Sequence, residues 1–246
     1  MEPKTLIDFK DRNSKEGEAN WDNIDCIIPH GGGIESMAAL AWAVDTGRHP
    51  VVWTYVVADV PGTHNLVLAA RKSADHFKVP FILVTETTPM KSINFPVGLI
   101  NVDNIVKLVA GNPQWSINAI IFGANTDDST TQRAVCKNAQ RSLEMVTNSE
   151  WEIHGLDWRK KLKTPLMLFP FEHNTKSEIY SFIKREHPTL IDYAWTCMNP
   201  SQVKEDKRWV PCGVCGKCIE YKSAVQIAES AKLKVRVGKN YEDLLK

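Results

Sequence analysis

Apolar and polar positions along the chain alternate between short buried runs and amphipathic stretches. Residues 24–28 (Ile-Asp-Cys-Ile-Ile) form an apolar run that stops at Pro29-His30-Gly31-Gly32-Gly33, the pattern of a buried strand entering a tight turn. From Glu35 the apolar positions Met37, Ala38, Leu40, Ala41, Trp42 and Val44 predict a helix ending near Gly47. Residues 51–57 read as the next strand, 66–77 as a helix and 80–84 as a third strand, which is the βαβαβ alternation of a parallel sheet. Residues 102–109 are a helix candidate, 117–122 a fourth strand ending at Gly123, and 133–146 a further helix; a fifth strand falls at 151–153 or 164–168. Thr175-Lys176-Ser177-Glu178 has the spacing of a capping box, and Ile179, Phe182 and Ile183 give the helix behind it an apolar face up to His187-Pro188. Residues 195–218 lack periodicity and carry Pro, Gly and Cys, which predicts a metal-organised loop, with a helix over 219–231. The fold class is α/β, a doubly wound Rossmann-like parallel sheet with a C-terminal metal-binding segment. The chain divides into a polar N-terminal extension (1–23), a main domain (24–194) and a C-terminal segment (195–246), with no internal repeat and no linker rich in Gly or Ser.

Composition sharpens this picture at a few points. With 246 residues and 43% of them apolar, the chain can bury a substantial core, which excludes disorder and low complexity. Thirty Lys and Arg against 29 Asp and Glu give a net charge of +1, no field for drawing in nucleic acid or an anionic membrane, so an anionic ligand must be held locally. No apolar run approaches the roughly 20 residues of a membrane span, and the N-terminus lacks a signal-peptide core, so the protein is expected in the cytoplasm. Of the six cysteines, four crowd between Cys197 and Cys218 while Cys26 and Cys136 stand alone. In a reducing compartment that crowding points to metal and not to disulfides.

The turn Gly31-Gly32-Gly33-Ile34-Glu35-Ser36 lies between a strand and a helix, where free backbone amides and the positive end of the helix dipole can hold a phosphate. It lacks the Gly-Lys-Ser/Thr of a Walker loop and the Gly-x-Gly-x-x-Gly of a dinucleotide fingerprint, and a plain tight turn is the bland alternative. Cys197, Cys212, Cys215 and Cys218 give C-x14-C-x2-C-x2-C, with Gly213 and Gly216 permitting the turns that bring the thiolates together. Four sulfurs suit tetrahedral zinc in a closed, structural site; a redox-active pair or an iron–sulfur cluster is the chemical rival. Cys26 reads as a small core hydrophobe, Trp42 and Trp53 as core, and Arg159-Lys160-Lys161-Leu162-Lys163 as a solvated face or a nucleic-acid patch.

These residues carry a resemblance. The glycine turn with Glu35-Ser36 resembles the Ser-Gly-Gly-x-Asp-Ser loop of the N-type ATP pyrophosphatases (PP-loop proteins). Motif order over residues 24–225 is similar to that of the 7-cyano-7-deazaguanine synthases. Phe122-Gly123-Ala124-Asn125-Thr126-Asp127 is similar to the family's strand-end segment, and Thr164-Pro165-Leu166 with Lys176-Ser177-Glu178 to its Thr-Pro-Leu and Lys-x-Glu pair. Thr196-Cys197 with Pro211-Cys212-Gly213-Val214-Cys215-Gly216-Lys217-Cys218 resembles its zinc-binding end. The resemblance implies an adenine nucleotide alpha hydrolase-like fold, with 24–194 as the ATP-binding domain. It also implies a carbon–nitrogen ligase that adenylylates a carboxylate and lets ammonia displace AMP, taking 7-carboxy-7-deazaguanine through an amide to a nitrile. ATP, Mg²⁺ and Zn²⁺ would be its cofactors, a small 7-deazaguanine-type carboxylate and ammonia its partners, and a homodimer its assembly. Gly31, Gly32, Gly33, Glu35, Ser36 and Lys176 would then hold the nucleotide, with Glu35, Ser36 and Lys176 catalytic. His64, Asp127 and Arg133 would meet the acceptor, and Cys197, Cys212, Cys215 and Cys218 would bind zinc.

The departures are as specific as the matches. Gly31 stands where the family has Ser, removing a hydroxyl, and Glu35 where it has Asp; His30 beside the turn is a candidate to compensate. Ala134-Val135 replaces a Pro-Asp pair before Cys136-Lys137, and an apolar side chain cannot accept hydrogen bonds from a guanine-like base. Phe95-Pro96-Val97-Gly98-Leu99-Ile100-Asn101 lacks the Arg of the family's Pro-Gly-Arg-Asn segment. Two alternatives stay open: amidation or thiolation of another acceptor, such as tRNA or a protein terminus, and an inactive nucleotide- or nucleic-acid-binding module.

Overall fold

The computed structural model describes residues 5–8, 19–57, 63–86, 114–129, 165–197, 199–202 and 209–231, with isolated positions 108, 112, 138, 140, 141 and 144. Along the chain these form β1 (Thr5–Asp8), β2 (Cys26–Pro29), α1 (Ile34–Asp45), β3 (Pro50–Val57), α2 (Thr63–Phe77), β4 (Phe81–Glu86), β5 (Ala119–Ile121) and β6 (Leu166–Leu168). They continue as α3 (Lys176–Glu186), a 3-10 helix (Pro188–Tyr193), β7 (Ser201–Gln202), β8 (Trp209–Val210) and α4 (Gly216–Ala231). Residues 108, 138, 140, 141 and 144 are helical, in keeping with the two helices expected around them.

The main sheet has the order β1-β4-β3-β2-β5-β6. β2 to β6 run parallel, as the alternation predicts, and of the two places offered for a fifth strand the described one is Leu166–Leu168. β1, within the segment read as a polar extension, pairs antiparallel to β4, and its Leu6-Ile7 pair is too short to announce a strand. A four-residue edge strand is held through backbone hydrogen bonds, so it needs no hydrophobic signature.

Alternation along each strand sorts the core into two layers. Cys26, Ile28, Val52, Ala119, Ile121 and Leu168 face α1, α2 and α3, whereas Ile27, Val51, Trp53, Ile82, Val84 and Ile120 pack with Leu108, Trp115 and Ile117 on the opposite side. The right-handed rule explains the split. The chain steps outward from β2 to β3 to β4 with α1 and α2 on one face, then returns past β2 to β5, and the described Leu108, Trp115 and Ile117 of that return pack on the other face. The carboxyl ends of β2 and β5 thus lie side by side where the strand order reverses, the position of the ligand crevice in such sheets.

α1 is buried almost all round, from Ile34 through Met37 to Ala43, and its alanines let strands and helices approach closely. Trp42 and Trp53 are core residues, as expected, and burial pushes the Cys26 thiol well up, which makes it an inert hydrophobe. The capping box of α3 is complete: the Glu178 amide donates to Thr175 Oγ1 at 3.3 Å and the Thr175 amide to Glu178 Oε2 at 2.8 Å. The 3-10 helix after α3 then carries the chain back across α2 toward the glycine turn.

The expected loop over 195–218 is corrected in two ways. β7 and β8 pair as a small antiparallel ladder within it, and α4 begins at Gly216 instead of 219. The two strands have only two residues each and α4 is weakly amphipathic along its length, so periodicity reports neither the ladder nor the earlier helix start. Among the described residues, no helix is long and apolar enough to cross a membrane.

Candidate functional site

The glycine turn links β2 to α1 at the switch point of the sheet. Gly32 has φ of 78°, the left-handed region, and a Cβ there would lie 2.8 Å from the Leu66 carbonyl oxygen of α2, so the backbone position suits glycine alone. Gly33 is the extended N-cap of α1 and offers no side-chain cap. The first helical bond runs from the Met37 amide to the Gly33 carbonyl at 3.1 Å, which leaves the amides of Ile34, Glu35 and Ser36 pointing out of the helix end without an intrahelical partner. Such an uncapped terminus presents donors and a positive dipole to an anion.

Gly123, two residues past β5, packs against the turn. A Cβ on it would sit 2.2 Å from the Glu35 carbonyl oxygen and 2.8 Å from the Ser36 amide nitrogen. The strand end thus packs directly on the backbone of the turn, and no side chain fits between them.

His30 is buried at the root of the turn. Its Nδ1 accepts from the Gly32 amide at 3.0 Å and lies 3.3 Å from Ser36 Oγ, which itself donates to the Gly33 carbonyl at 2.9 Å. Burial lowers its pKa from 6.5 to about 3, so the ring is neutral and Nδ1 is an acceptor, with Nε2 carrying the proton and finding no partner. His30 therefore shapes the turn from within; it does not replace the missing hydroxyl of Gly31. A pH dependence follows. Between pH 6.5 and 3 the unfolded chain binds a proton that the folded chain refuses, so stability falls as pH drops through this window. The loss approaches about 1.4 kcal/mol per pH unit, roughly 2 kcal/mol at about pH 5. Denaturant melts should show His30→Asn, which retains an acceptor for Gly32 and cannot titrate, losing correspondingly less between about pH 7 and 5; equal losses would refute the assignment.

Lys176 opens α3 and is only 6% exposed, not a solvated lysine. Its Nζ lies 2.8 Å from Glu35 Oε1 and 3.1 Å from Glu220 Oε2, while its amide donates to Asp127 Oδ2 at 2.7 Å. Burial pulls its pKa down, but the charges and hydrogen bonds of Glu35 and Glu220 outweigh this and hold it above the ordinary value. Asp127 thus anchors the first amide of α3. Beside it, Asp128 accepts from the Asn125 amide at 3.0 Å, and burial raises its carboxyl pKa, with Glu35 adding to the rise. Glu35, one methylene longer than aspartate, meets Lys176 through its Oε1. His64 sits exposed in the first turn of α2, two residues before Leu66, whose carbonyl meets the turn. Arg133, Ala134, Val135 and Cys136, the Phe95 to Asn101 segment and the Arg159 to Lys163 run lie outside the described residues.

The four cysteines converge as their spacing predicts. One ligand atom from each of Cys197, Cys212, Cys215 and Cys218 lies within 4.8 Å of the others, so the group can hold a metal ion. The Cys212 amide donates to Cys197 Sγ and the Cys215 amide to Cys212 Sγ, both at 3.3 Å. Amides of Val214 and Cys215 lower the Cys212 thiol pKa, whereas burial pushes that of Cys218 up to about 12. A buried thiol of that kind ionises readily only against a cation.

The cysteine group is joined to the turn. The Trp195 amide donates to the Gly32 carbonyl at 2.8 Å, and the Trp195 indole N–H to the Cys197 carbonyl at 3.0 Å. The Thr196 methyl stands 4.0 Å from where a Gly33 Cβ would be. Glu220 and Asp128 escaped the sequence reading. Glu220 follows the cysteine motif by two residues with no motif of its own, and Asp128 is masked by its neighbour Asp127.

Fold and site together define an α/β protein with a glycine turn at its sheet switch point and a metal-capable cysteine group bonded to that turn. No family model matches the chain, and no curated protein matches it. Among solved structures, a U34-tRNA thiolase, NcsA from Methanococcus maripaludis with its 4Fe-4S cluster, is similar at 10% identity and a TM-score of 0.43, covering 86% of this chain and 67% of that one. A likeness at that level carries no weight for the chemistry of the site.

Proposed function

We propose that this chain is a PP-loop ATP-dependent ligase that adenylylates a carboxylate and transfers the acyl group to ammonia, with a 7-deazaguanine-type acid as the substrate class. The observation that supports it most is the uncapped amide set of Ile34, Glu35 and Ser36 at the switch-point crevice, with the Ser36 hydroxyl and the Lys176 ammonium within the same constellation. A carboxylate resists attack because addition would build a dianion. In this reading a carboxylate oxygen attacks the α-phosphorus of ATP and pyrophosphate leaves; ammonia then adds to the acyl carbon and AMP departs. The chain's work is to hold the leaving phosphates with the turn amides, orient them with Ser36 and keep Lys176 against the developing charge. Glu35, Asp127, Asp128 and Glu220 outnumber Lys176 and Lys217 here, so the nucleotide is expected to enter as its Mg²⁺ complex. In this reading Glu35, 20% exposed and paired to Lys176 through Oε1, would hold that ion, which would supply neutralisation of the phosphate oxygens.

For the cysteine group we favour a single zinc ion. A Zn–S bond of about 2.3 Å places tetrahedral sulfurs about 3.8 Å apart. The Cys212 and Cys218 sulfurs are 4.0 Å apart, close to that edge. In a four-iron cluster each thiolate binds a different iron and the sulfurs spread further.

The test is mass spectrometry of purified protein of measured metal content, incubated with Mg·ATP, ammonium and 7-carboxy-7-deazaguanine. Substrate-stimulated AMP and pyrophosphate with amide or nitrile product are expected. AMP release only with RNA or a protein acceptor would transfer the reading to those substrates, and absence of AMP with every acceptor would refute the ligase. A companion variant addresses the missing hydroxyl. Gly31 is exposed and a Cβ there meets nothing within 4 Å, so Gly31→Ser should fold with its stability unchanged within about 0.5 kcal/mol. It should tighten nucleotide binding by about threefold to tenfold, the worth of one added hydrogen bond, read by calorimetric titration.

A further inference from the structure

α4 is weakly seated for a helix of 16 residues, since only Cys218 and Ala224 of it are buried. Its first turn is placed by the cysteine group, and its flank by the exposed Lys184–Glu229 pair at 3.0 Å and the Tyr180–Tyr221 ring contact. Yet Glu220, which directly follows this first turn and also pairs with Lys217 at 3.1 Å, is one of the two carboxylates that hold the buried Lys176 ammonium; the other, Glu35, belongs to the glycine turn. A second connection runs from Cys197 through Trp195 to the Gly32 carbonyl. Both ends of the cysteine group therefore reach the turn, by separate routes.

We propose that Glu220 is a positioning residue for Lys176, and that through Glu220 and Trp195 metal occupancy of the four-cysteine site sets the conformation of the glycine turn. With metal bound, α4 holds Glu220 against Lys176, Lys176 holds Glu35, and Trp195 holds Gly32. Without it, the ligand-bearing segments lose their common anchor and both struts slacken. The turn's free amides then lose the fixed geometry that anion binding requires, so metal binding and anion binding become linked, and each strengthens the other by the same factor. This rests on the metal and nucleotide readings above.

The experiment contains no nucleotide, so failure of the protein to bind ATP and failure of the linkage are separable. Hydrogen exchange of the Gly32 and Met37 amides is measured by NMR in the full chain, zinc-loaded and after chelation, with the Val52 and Val84 amides of the sheet as reference. Stripping zinc from the parent should speed exchange at Gly32 and Met37 by about tenfold or more relative to the sheet, a local opening. Glu220 is half exposed, so Glu220→Ala folds; zinc-loaded and with full metal content, it should exchange about threefold to tenfold faster at the turn, with Glu220→Gln intermediate. After stripping, Glu220→Ala and the parent should exchange alike, because the strut acts only while the metal holds α4. Parent-like turn exchange in loaded Glu220→Ala, equal increments with and without zinc, or acceleration only in step with the sheet amides would overturn the proposal.

Discussion

A Lys176→Met variant is expected to melt well below the parent chain and to form AMP at least about a hundredfold more slowly. The stability loss follows from the environment of the ammonium. It is 6% exposed, 2.8 Å from Glu35 and 3.1 Å from Glu220, and removing it leaves Glu35 without its cation and Glu220 with Lys217 alone, 3.1 Å away. Breaking a buried ion pair from one side costs roughly 3–5 kcal/mol. Glu35 and Glu220 are 20% and 50% exposed and can recover some hydration, so the lower end, about 3 kcal/mol, applies. In a chain of this size that is a fall of roughly 6–12 °C in Tm, read by calorimetry. The rate loss has a separate origin, since losing one preorganised charge from a transition state costs about a hundredfold to a thousandfold. Lys176→Arg separates the two: it keeps the charge and recovers much of the melting temperature. A normal melting temperature in Lys176→Met would show that the ion pairs contribute nothing. Unimpaired AMP formation would remove Lys176 from the chemistry.

Gly123→Ala is expected to damage the site as severely through packing alone. The new methyl carbon would fall 2.2 Å from the Glu35 carbonyl oxygen and 2.3 Å from its carbonyl carbon. These are backbone atoms of the first turn of α1, so relief requires α1 or the end of β5 to move. Overpacking of a filled core costs typically about 1–3 kcal/mol, and rigid backbone on the receiving side puts this case at the upper end. Any shift of α1 also displaces the amides of Ile34 to Ser36, so nucleotide affinity should drop by at least tenfold alongside an unfolding free energy lowered by about 3 kcal/mol. Urea melts and calorimetric ATP titration read the two effects. Parent-like stability would mean that the strand end and the turn are not in contact in solution. Gly31→Ala, one strand away and open, is the control that should leave both quantities unchanged.

These two residues also mark where local reading stops. The glycine turn, the capping box at Thr175 and Glu178 and the four-cysteine spacing are legible in the chain because each completes its physics within a few residues. A turn needs its glycines, a helix start its oxygen acceptors, and a metal its close thiols. The parallel order of strands is legible for a related reason, since alternating apolar runs and amphipathic helices leave few ways to cover both sheet faces with right-handed crossovers. By itself, then, the sequence determined the α/β class, the switch-point turn and the metal-capable cysteines.

Tertiary structure decided what those parts do to one another. Lys176 meets Glu220 44 residues away and Glu35 in another element, and no residue near Lys176 in sequence carries that information. Gly123 appears in sequence as the end of a strand, and only the crevice reveals that its hydrogen takes the one space available beside the Glu35 carbonyl. His30 reads as a lone histidine until burial makes it a neutral acceptor for the Gly32 amide. β1, with only Leu6 and Ile7 apolar, is too short to show a strand pattern, and it joins the sheet through backbone groups that every residue possesses. Short-range physics depends on residue type and spacing, which a sequence displays. Charge pairing, close backbone approach and burial depend on which distant segments the fold brings together, and they are set only once the chain has closed on itself.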